Sequence, residues 1–142
     1  MMDEKIMSGC ALSGIFDRRG RRFSGEEIVE SMAVMHERSN GKGGGFAAYG
    51  IYPEHVQEYA FHVFYDSPGA REGVERYLHE HFHVSVMESI PTRDGARIED
   101  PPLIWRYFVD PLAEELEETG LVEREFVVQA VMKINDSFQG AY

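Results

Sequence analysis

The single cysteine, Cys10, is the residue of this chain best placed to act as a nucleophile. It follows Gly9 directly, behind a short polar leader formed by residues 1–9. If the leader is removed between Gly9 and Cys10, one residue carries both a thiol and a free α-amino group. Because an α-amine titrates at about 7.7–8.0, it can accept the thiol proton without a catalytic histidine. The pattern predicts attack on an amide carbonyl through a thioester; the alternative is a small buried core cysteine.

Other groupings of residues that often carry chemistry have simpler explanations here. His79, His81 and His83 cross a predicted helix-to-strand boundary, so they cannot all face one metal ion. The glycines within 41–45 follow a helix and precede a strand, whereas nucleotide-binding loops follow a strand and open a helix. The arginines within 18–22 are expected at a charged hairpin tip. We therefore predict no metal and no nucleotide loop.

The elements expected to position Cys10 lie in the first third of the chain. Residues 10–16 alternate loosely and meet a turn signal over 17–20, which predicts a strand. Ser24 and Glu27 have the spacing of a capping box, and the apolar residues that follow at helical spacing predict a helix. That helix must end at the glycine-rich loop.

The remainder of the chain predicts further strands and helices. The strands are expected at 46–52, 59–65, 84–90 and 103–109, and the helices at about 70–81 and 123–138. The glutamates within 114–118 are expected on a solvated helix or loop. Residues 140–142 have the pattern of a strand that has only begun, so we expect the chain to be truncated.

The composition restricts the class of protein. With 14 Lys and Arg against 25 Asp and Glu, the formal charge of −11 argues against nucleic acid or anionic lipid as the main partner. A hydrophobic fraction of 43% in 142 residues is enough for a folded domain of the α+β class. No apolar run approaches the roughly 20 residues that span a bilayer. The absence of a signal-peptide pattern and the single cysteine predict a cytoplasmic protein.

Several segments of the chain resemble one enzyme family. Residues 10–16, Cys-Ala-Leu-Ser-Gly-Ile-Phe, resemble the Cys-Gly-Ile-x-Gly-Ile-Phe start of class II glutamine amidotransferases, the N-terminal-nucleophile family. Residues 35–53 resemble that family's Met-x-x-Arg-Gly-Asn-Gly-x-Gly-x-Gly-Phe-Ala block. Residues 100–108 and 140–142 are similar to parts of the archaeal-type glutamate synthase amidotransferase subunit, in which this domain is a separate protein. The resemblance covers residues 10–142, and the order of the motifs makes it specific.

The resemblance implies a fold, an activity and partners. The fold would be the N-terminal part of an αββα Ntn-hydrolase sandwich, with 1–9 as a leader and 10–142 as part of a type-2 glutamine amidotransferase domain. The enzyme would hydrolyse glutamine to glutamate and ammonia. A glutamate synthase subunit carrying FMN and iron–sulfur centres would use the ammonia, this chain would hold no cofactor, and a homo-oligomer is compatible with this arrangement.

The same resemblance assigns roles to three residues. Cys10 matches the nucleophile, and Arg38 and Ser39 match the Arg-Gly pair beside the cysteine and its amino group. Two residues depart from the family pattern, since Ala11 and Ser39 both replace glycine.

Two motifs of the family do not occur in these 142 residues. They are the His-x-Arg-Phe-x-Thr-Asn block, which binds glutamine, and the oxyanion Asn-Gly pair; Asn40 and Gly41 belong to the earlier loop. Loss of one oxyanion donor alone costs about 10²–10³ in rate. We therefore expect this chain by itself to be nearly inactive.

Two other hypotheses are consistent with the residues. Residues 44–90 follow a predicted β-β-α-β order, which is common in non-catalytic interaction or assembly modules, and Cys10 would then be structural. In the other hypothesis the leader is never removed, and the chain is an amidotransferase relic that only assembles with a synthase partner.

Overall fold

Three antiparallel strands and four α-helices make up the computed structural model, which describes residues 10–38, 44–93 and 100–142. The class is α+β, as predicted. The chain divides into two units, residues 1–49 and 50–142, and each is described by itself. No helix within the described ranges combines the length and the apolar character needed to cross a membrane.

The first unit contains one α-helix, α1 (Glu26–Ala33), preceded by the predicted turn. Asp17 closes this turn, because its carbonyl accepts the Gly20 N–H at 3.0 Å and its side chain accepts the Arg19 N–H at 2.7 Å. The Arg21 guanidinium, 2.8 Å away, lowers the pKa of Asp17. The predicted helix is confirmed, but its N-cap is Gly25 and not Ser24, and it ends at Ala33, before the glycine-rich loop.

The two strands predicted in the first third of the chain do not form. Residues 10–16 and 46–52 are irregular, and their apolar side chains are largely exposed, with Leu12 at 93% and Phe46 at 64%. Alternation predicts a strand only where one face is buried and a neighbour supplies the hydrogen-bond ladder. Neither condition holds for these segments, so the predictions of strands there, and of a hairpin at 18–22, are wrong.

The second unit is built on the sheet, whose strands are β1 (Tyr59–Tyr65), β2 (Phe82–Ser89) and β3 (Leu103–Pro111). The order is β1-β3-β2, and both pairs are antiparallel. The pairing of β2 with β3 shifts between Val84 and Val86, where Ser85 forms a β-bulge. All three strands were predicted within two residues of their observed ends.

Three helices accompany the sheet: α2 (Pro68–His81), α3 (Ala113–Thr119) and α4 (Glu123–Ser137). Helix α2 begins where Ser67 Oγ accepts the Ala70 N–H at 3.2 Å, with Pro68 in the first turn. Helix α3 ends at Gly120, whose φ of +66° favours glycine. The predicted helices α2 and α4 are confirmed, and the acidic stretch forms α3.

The core lies between α2, α4 and one face of the sheet, which we call the inner face. Apolar residues alternate along β1 and recur at helical spacing in the two helices, whereas β3 carries apolar residues on both faces, with Phe108 facing away from the core. Val131 of α4 follows the buried Val127 and Ala130 at helical spacing but is 41% exposed. The buried core residues are Phe61, Val63, Tyr65, Val74, Leu78, Phe82, Tyr107, Val109, Phe126, Val127, Ala130, Ile134 and Ala141.

Residues 140–142 lie beside β1, on the edge that faces away from β3. Ala141 forms an antiparallel bridge with Tyr65, and Phe64 and Tyr142 exchange two backbone hydrogen bonds of 3.0 Å. Gly140 makes the turn from α4 with a φ of +80°. The predicted start of a strand is confirmed.

Candidate functional site

Cys10, the predicted nucleophile, has an exposed side chain and a free thiol. The segment that follows it is joined to α1 by a contact of 2.5 Å between Ser13 Oγ and Ser31 Oγ. An exposed sulfur is accessible to a substrate carbonyl. The expectation that Cys10 is a buried core residue does not hold in this structure.

Arg38, the second predicted site residue, ends a 3-10 turn formed by His36–Arg38. Its N–H donates to the Met35 carbonyl at 2.9 Å, and its side chain is exposed. Ser39 lies outside the described residues, as do residues 40–43 of the glycine-rich loop. The structure therefore places Cys10 and Arg38 in the same unit and leaves the predicted Arg-Ser pair undescribed.

A polar cluster that the sequence did not predict lies on the face of the sheet opposite the core. It is formed by Tyr52, His62, Glu88 and Arg106, and we call it the outer-face cluster. Arg106 Nη1 donates to Tyr52 Oη at 3.0 Å, and its Nε donates to Glu88 Oε1 at 3.0 Å. The guanidinium carbon also lies 4.7 Å from the centre of the Tyr52 ring. One tyrosine thus joins the 50–58 segment to the sheet.

The electrostatics of the outer-face cluster leave its imidazole neutral. Tyr52 Oη lies 2.8 Å from His62 Nε2, within hydrogen-bond distance, and it also accepts from Arg106. Burial and the Arg106 charge lower the pKa of His62, while Glu88 and Tyr52 raise the pKa of Arg106. The cluster holds one balanced ion pair and no activated nucleophile. The role of the cluster is to hold the 50–58 segment against the sheet.

A second set of polar residues attaches the 50–58 segment to the sheet, closer to β2. His55 Nδ1 lies 2.5 Å from Glu58 Oε2, and Ser85 Oγ donates to Glu58 Oε1. These bonds, that of Ser85 first, lower the pKa of Glu58. The His55 ring stacks on Phe108, which is only 2% exposed although it faces away from the core. We call His55, Glu58 and Ser85 the clasp. Its carboxylate lies between the imidazole and the hydroxyl, whereas in a Ser-His-acid triad the imidazole lies between the hydroxyl and the carboxylate.

The core contains one buried chain of hydroxyl groups. Tyr65 Oη donates to Tyr107 Oη at 2.9 Å, and Tyr107 donates to Glu75 Oε1 at 3.1 Å. Burial raises the pKa of Tyr65 to about 12 and raises that of Tyr107 as well. Arg71 pairs with Glu75 at 3.1 Å and lies 4.2 Å over the Trp105 ring. These hydrogen bonds pair the buried hydroxyl groups of Tyr65 and Tyr107, and both side chains stay protonated near neutral pH.

The three closely spaced histidines are divided between two elements. His79 and His81 lie in the last turn of α2 and His83 lies in β2, as the predicted boundary required. His81 Nδ1 pairs with Glu115 Oε1 at 3.0 Å. Across the ranges 10–38, 44–93 and 100–142, no group of three or more potential ligands is placed to hold a metal ion.

His55 and His62 lack the spacing of metal ligands, so their positions in the sequence do not indicate a site. The alternation along β1 predicts that His62 lies on the face opposite the core. One residue of the outer-face cluster could therefore be placed from the sequence. Its partners Glu88 and Arg106 come from two other strands, and the bulge that aligns Glu88 has no sequence signature. The whole cluster could be identified only once the pairing register of the three strands was known.

Comparison with known proteins adds one relative. No family model matches the chain, and no solved structure matches it. A protein of Archaeoglobus fulgidus, described as an uncharacterized protein, is 43% identical over 144 residues. The match covers 100% of this chain and 38% of the relative. The chain thus spans well under half the length of that protein.

Proposed function

We propose that this chain is the N-terminal part of a class II glutamine amidotransferase of glutamate synthase type. The observation that carries the proposal is the free, exposed thiol of Cys10, placed directly after Gly9 at the start of the family's motif. The Arg38 block follows at the spacing that the family uses. Because the glutamine-binding and oxyanion motifs are not among these residues, the proposal assigns activity to a protein that contains them too.

The proposed reaction begins with removal of residues 1–9, which exposes the α-amine of Cys10. This amine takes the thiol proton, and the sulfur attacks the side-chain amide carbonyl of glutamine. The tetrahedral intermediate collapses as the ammonium group returns the proton to the departing nitrogen, which releases ammonia and leaves a thioester. Water then hydrolyses the thioester to glutamate and the free thiol. Arg38 is proposed to lie beside the nucleophile and to position its amine.

The proposed fold is one half of an αββα sandwich. In support, the sheet carries α2 and α4 on its inner face, which gives one α layer and one β layer. A second sheet would then pack on the part of the outer face that the 50–58 segment does not cover, where Phe64 is 43% exposed. Residues 10–16 form no strand here, so the proposal requires that this segment joins a sheet in the larger protein.

The partner proposed for the released ammonia is a glutamate synthase subunit. That subunit would carry FMN and iron–sulfur centres and would reductively aminate 2-oxoglutarate. The proposal gives this chain no cofactor of its own, because hydrolysis of an amide needs only the thiol, the amine and water.

The test is a glutaminase assay of the full-length protein combined with its intact mass. We expect a mass that lacks residues 1–9, and at least about 10³-fold loss of ammonia release in the Cys10→Ala variant. Arg38→Ala should lower the rate, whereas Arg18→Ala, an exposed arginine of the same unit, should not. An intact leader together with undiminished activity of Cys10→Ala would end the proposal.

A second candidate function is a non-catalytic interaction module, which the outer edge of β1 favours, because within the described ranges only residues 140–142 lie beside it. Thiol alkylation distinguishes the two candidates. An amidotransferase nucleophile should react faster in the processed folded protein than in denaturant, because only the fold places a cation such as Arg38 beside the thiolate, whereas the amine of Cys10 is present in both states. Equal rates in both states would favour the interaction module.

A further inference from the structure

One edge of the sheet is open along most of β1. The order β1-β3-β2 puts β1 at the border, and the described residues beside its outer edge are 140–142. The N–H and C=O groups of Phe64 point toward this outer edge, where they bond to Tyr142. Because these groups alternate in direction from residue to residue along a strand, those of Ala60 and His62 point toward the same edge. Within the described ranges, the N–H and C=O groups of Ala60 and His62 have no strand to pair with.

An apolar groove runs beside this open edge. It is a cavity of about 300 Å³ between β1 and α4, with Tyr142 at one end. Val127, Val131 and Ile134 of α4 form its floor. Val131 remains 41% exposed although it lies on the core side of its helix, so the groove leaves apolar surface uncovered.

The pairing of residues 140–142 fixes the direction and register of any continuation. Tyr142 lies opposite Phe64 in an antiparallel pair. The second residue after Tyr142 would therefore lie opposite His62, and the fourth opposite Ala60. The first and third residues would share the inner face with Val63 and Phe61, so their side chains would enter the groove.

We propose that, in a protein that continues beyond the residue aligned with Tyr142, the segment that follows it forms a fourth strand antiparallel to β1 and completes the free edge of β1. Such a strand would pair the backbone of Ala60 and His62 and would cover Val127 and Val131 with apolar side chains at its first and third positions. The inference does not depend on the proposed glutaminase activity.

Two observations favour this occupant over a separate molecule. The chain matches only 38% of the Archaeoglobus fulgidus relative, so a protein of that length has residues outside the matched part. The hydrogen bonds of Tyr142 also already aim the backbone along the edge in the required register. A strand from a separate molecule would have to compete with this tethered segment, whose effective concentration is far higher.

Amide hydrogen exchange tests the proposal by comparing the 142-residue chain with the full-length relative. In the short chain we expect the amides of Ala60 and His62 to exchange rapidly, while that of Phe64 is protected by Tyr142. In the full-length protein the amides aligned with Ala60 and His62 should slow on the order of 10²-fold or more. Equally fast exchange in both proteins would overturn the proposal. Protection in the short chain that grows with its concentration would assign the edge to a second copy instead.

Proline substitution supplies a matched pair of variants. The Ala60 N–H faces the open edge, so Ala60→Pro should leave the short chain's melting temperature almost unchanged but lower that of the full-length protein. The Phe61 N–H faces β3, so Phe61→Pro should destabilise both proteins. An Ala60→Pro change that lowers the melting temperature of both proteins equally would contradict the proposal. Charged residues at both the first and third positions after Tyr142 would also contradict it, because those side chains would enter the apolar groove.

Discussion

The first unit exposes its large apolar side chains, whereas the second unit encloses them around the inner face of its sheet. Leu12 and Val34 are 93% and 83% exposed, while Val74 and Leu78 are fully buried. Both units contain apolar residues at regular spacing, so the local patterns do not distinguish them. The difference lies in whether a second element arrives to cover the apolar face.

The comparison also separates two kinds of polar interaction. In the first unit, Asp17 pairs with Arg21, four residues further along the chain, and Ser13 contacts Ser31, 18 residues away. In the second unit, the outer-face cluster and the clasp join segments that are distant in sequence. Long-range polar contacts of this kind form only when the sheet has set the register.

Hydrogen exchange should show the largest difference between the two units. We expect the amides of β3 and α4 to exchange on the order of 10³-fold more slowly than those of α1, which has no buried residue. The measurement is residue-resolved exchange by NMR at neutral pH. Similar protection in α1 and β3 would mean that α1 has a packing partner in solution.

A pair of truncations should give the next largest effect. Leu78→Ala removes a fully buried side chain of α2 and should lower the free energy of unfolding by about 3 kcal/mol. Met32→Ala in α1, where the side chain is 38% exposed, should cost less than about 1 kcal/mol. Urea unfolding followed by circular dichroism checks both. Equal losses would remove the distinction between the units.

Removal of one hydroxyl group from the core should have a smaller effect. Tyr107→Phe leaves the buried Tyr65 hydroxyl without its acceptor and removes one donor from Glu75, which keeps its pairing with Arg71, so we expect a loss of about 1–2 kcal/mol. Tyr49→Phe, in the first unit, changes a fully exposed residue and should have no measurable effect. If both variants unfold at the wild-type urea concentration, the buried chain of hydroxyls contributes nothing.

The clasp should produce the smallest effect, which appears only in the pH dependence. Because the pKa of Glu58 is lower in the folded state than its ordinary 4.5, its contribution is present above that pH and is lost as the pH falls. Glu58→Gln should therefore flatten the decline of the urea midpoint below about pH 5. Glu54→Gln, an exposed neighbour, should keep the wild-type slope.

The elements that the sequence predicted correctly are those whose periodicity matches a buried face. Strands β1 and β3 and helices α2 and α4 each present apolar residues to the same core, so local spacing and tertiary packing agree. Residues 10–16 and 46–52 show similar alternation without a neighbour to pair with. A single sequence does not reveal which alternating segments will find a partner.

The candidate site was predictable to a different degree in its two parts. Cys10 could be singled out because its chemistry depends on residue type and position alone. The outer-face cluster depends on which residues of three strands become neighbours. No pattern within one strand specifies that Arg106 meets Glu88 and Tyr52 together.

The bulge at Ser85 has a consequence for the whole length of β2. Val84 points to the inner face, and in a regular strand every second residue after it would do the same, including Glu88. The additional residue reverses that parity, so Glu88 emerges on the opposite side, across from Arg106. Without the bulge, a ladder that kept Ser85 in regular pairing would put Glu88 opposite Trp105 and would leave the Arg106 guanidinium without its counter-ion.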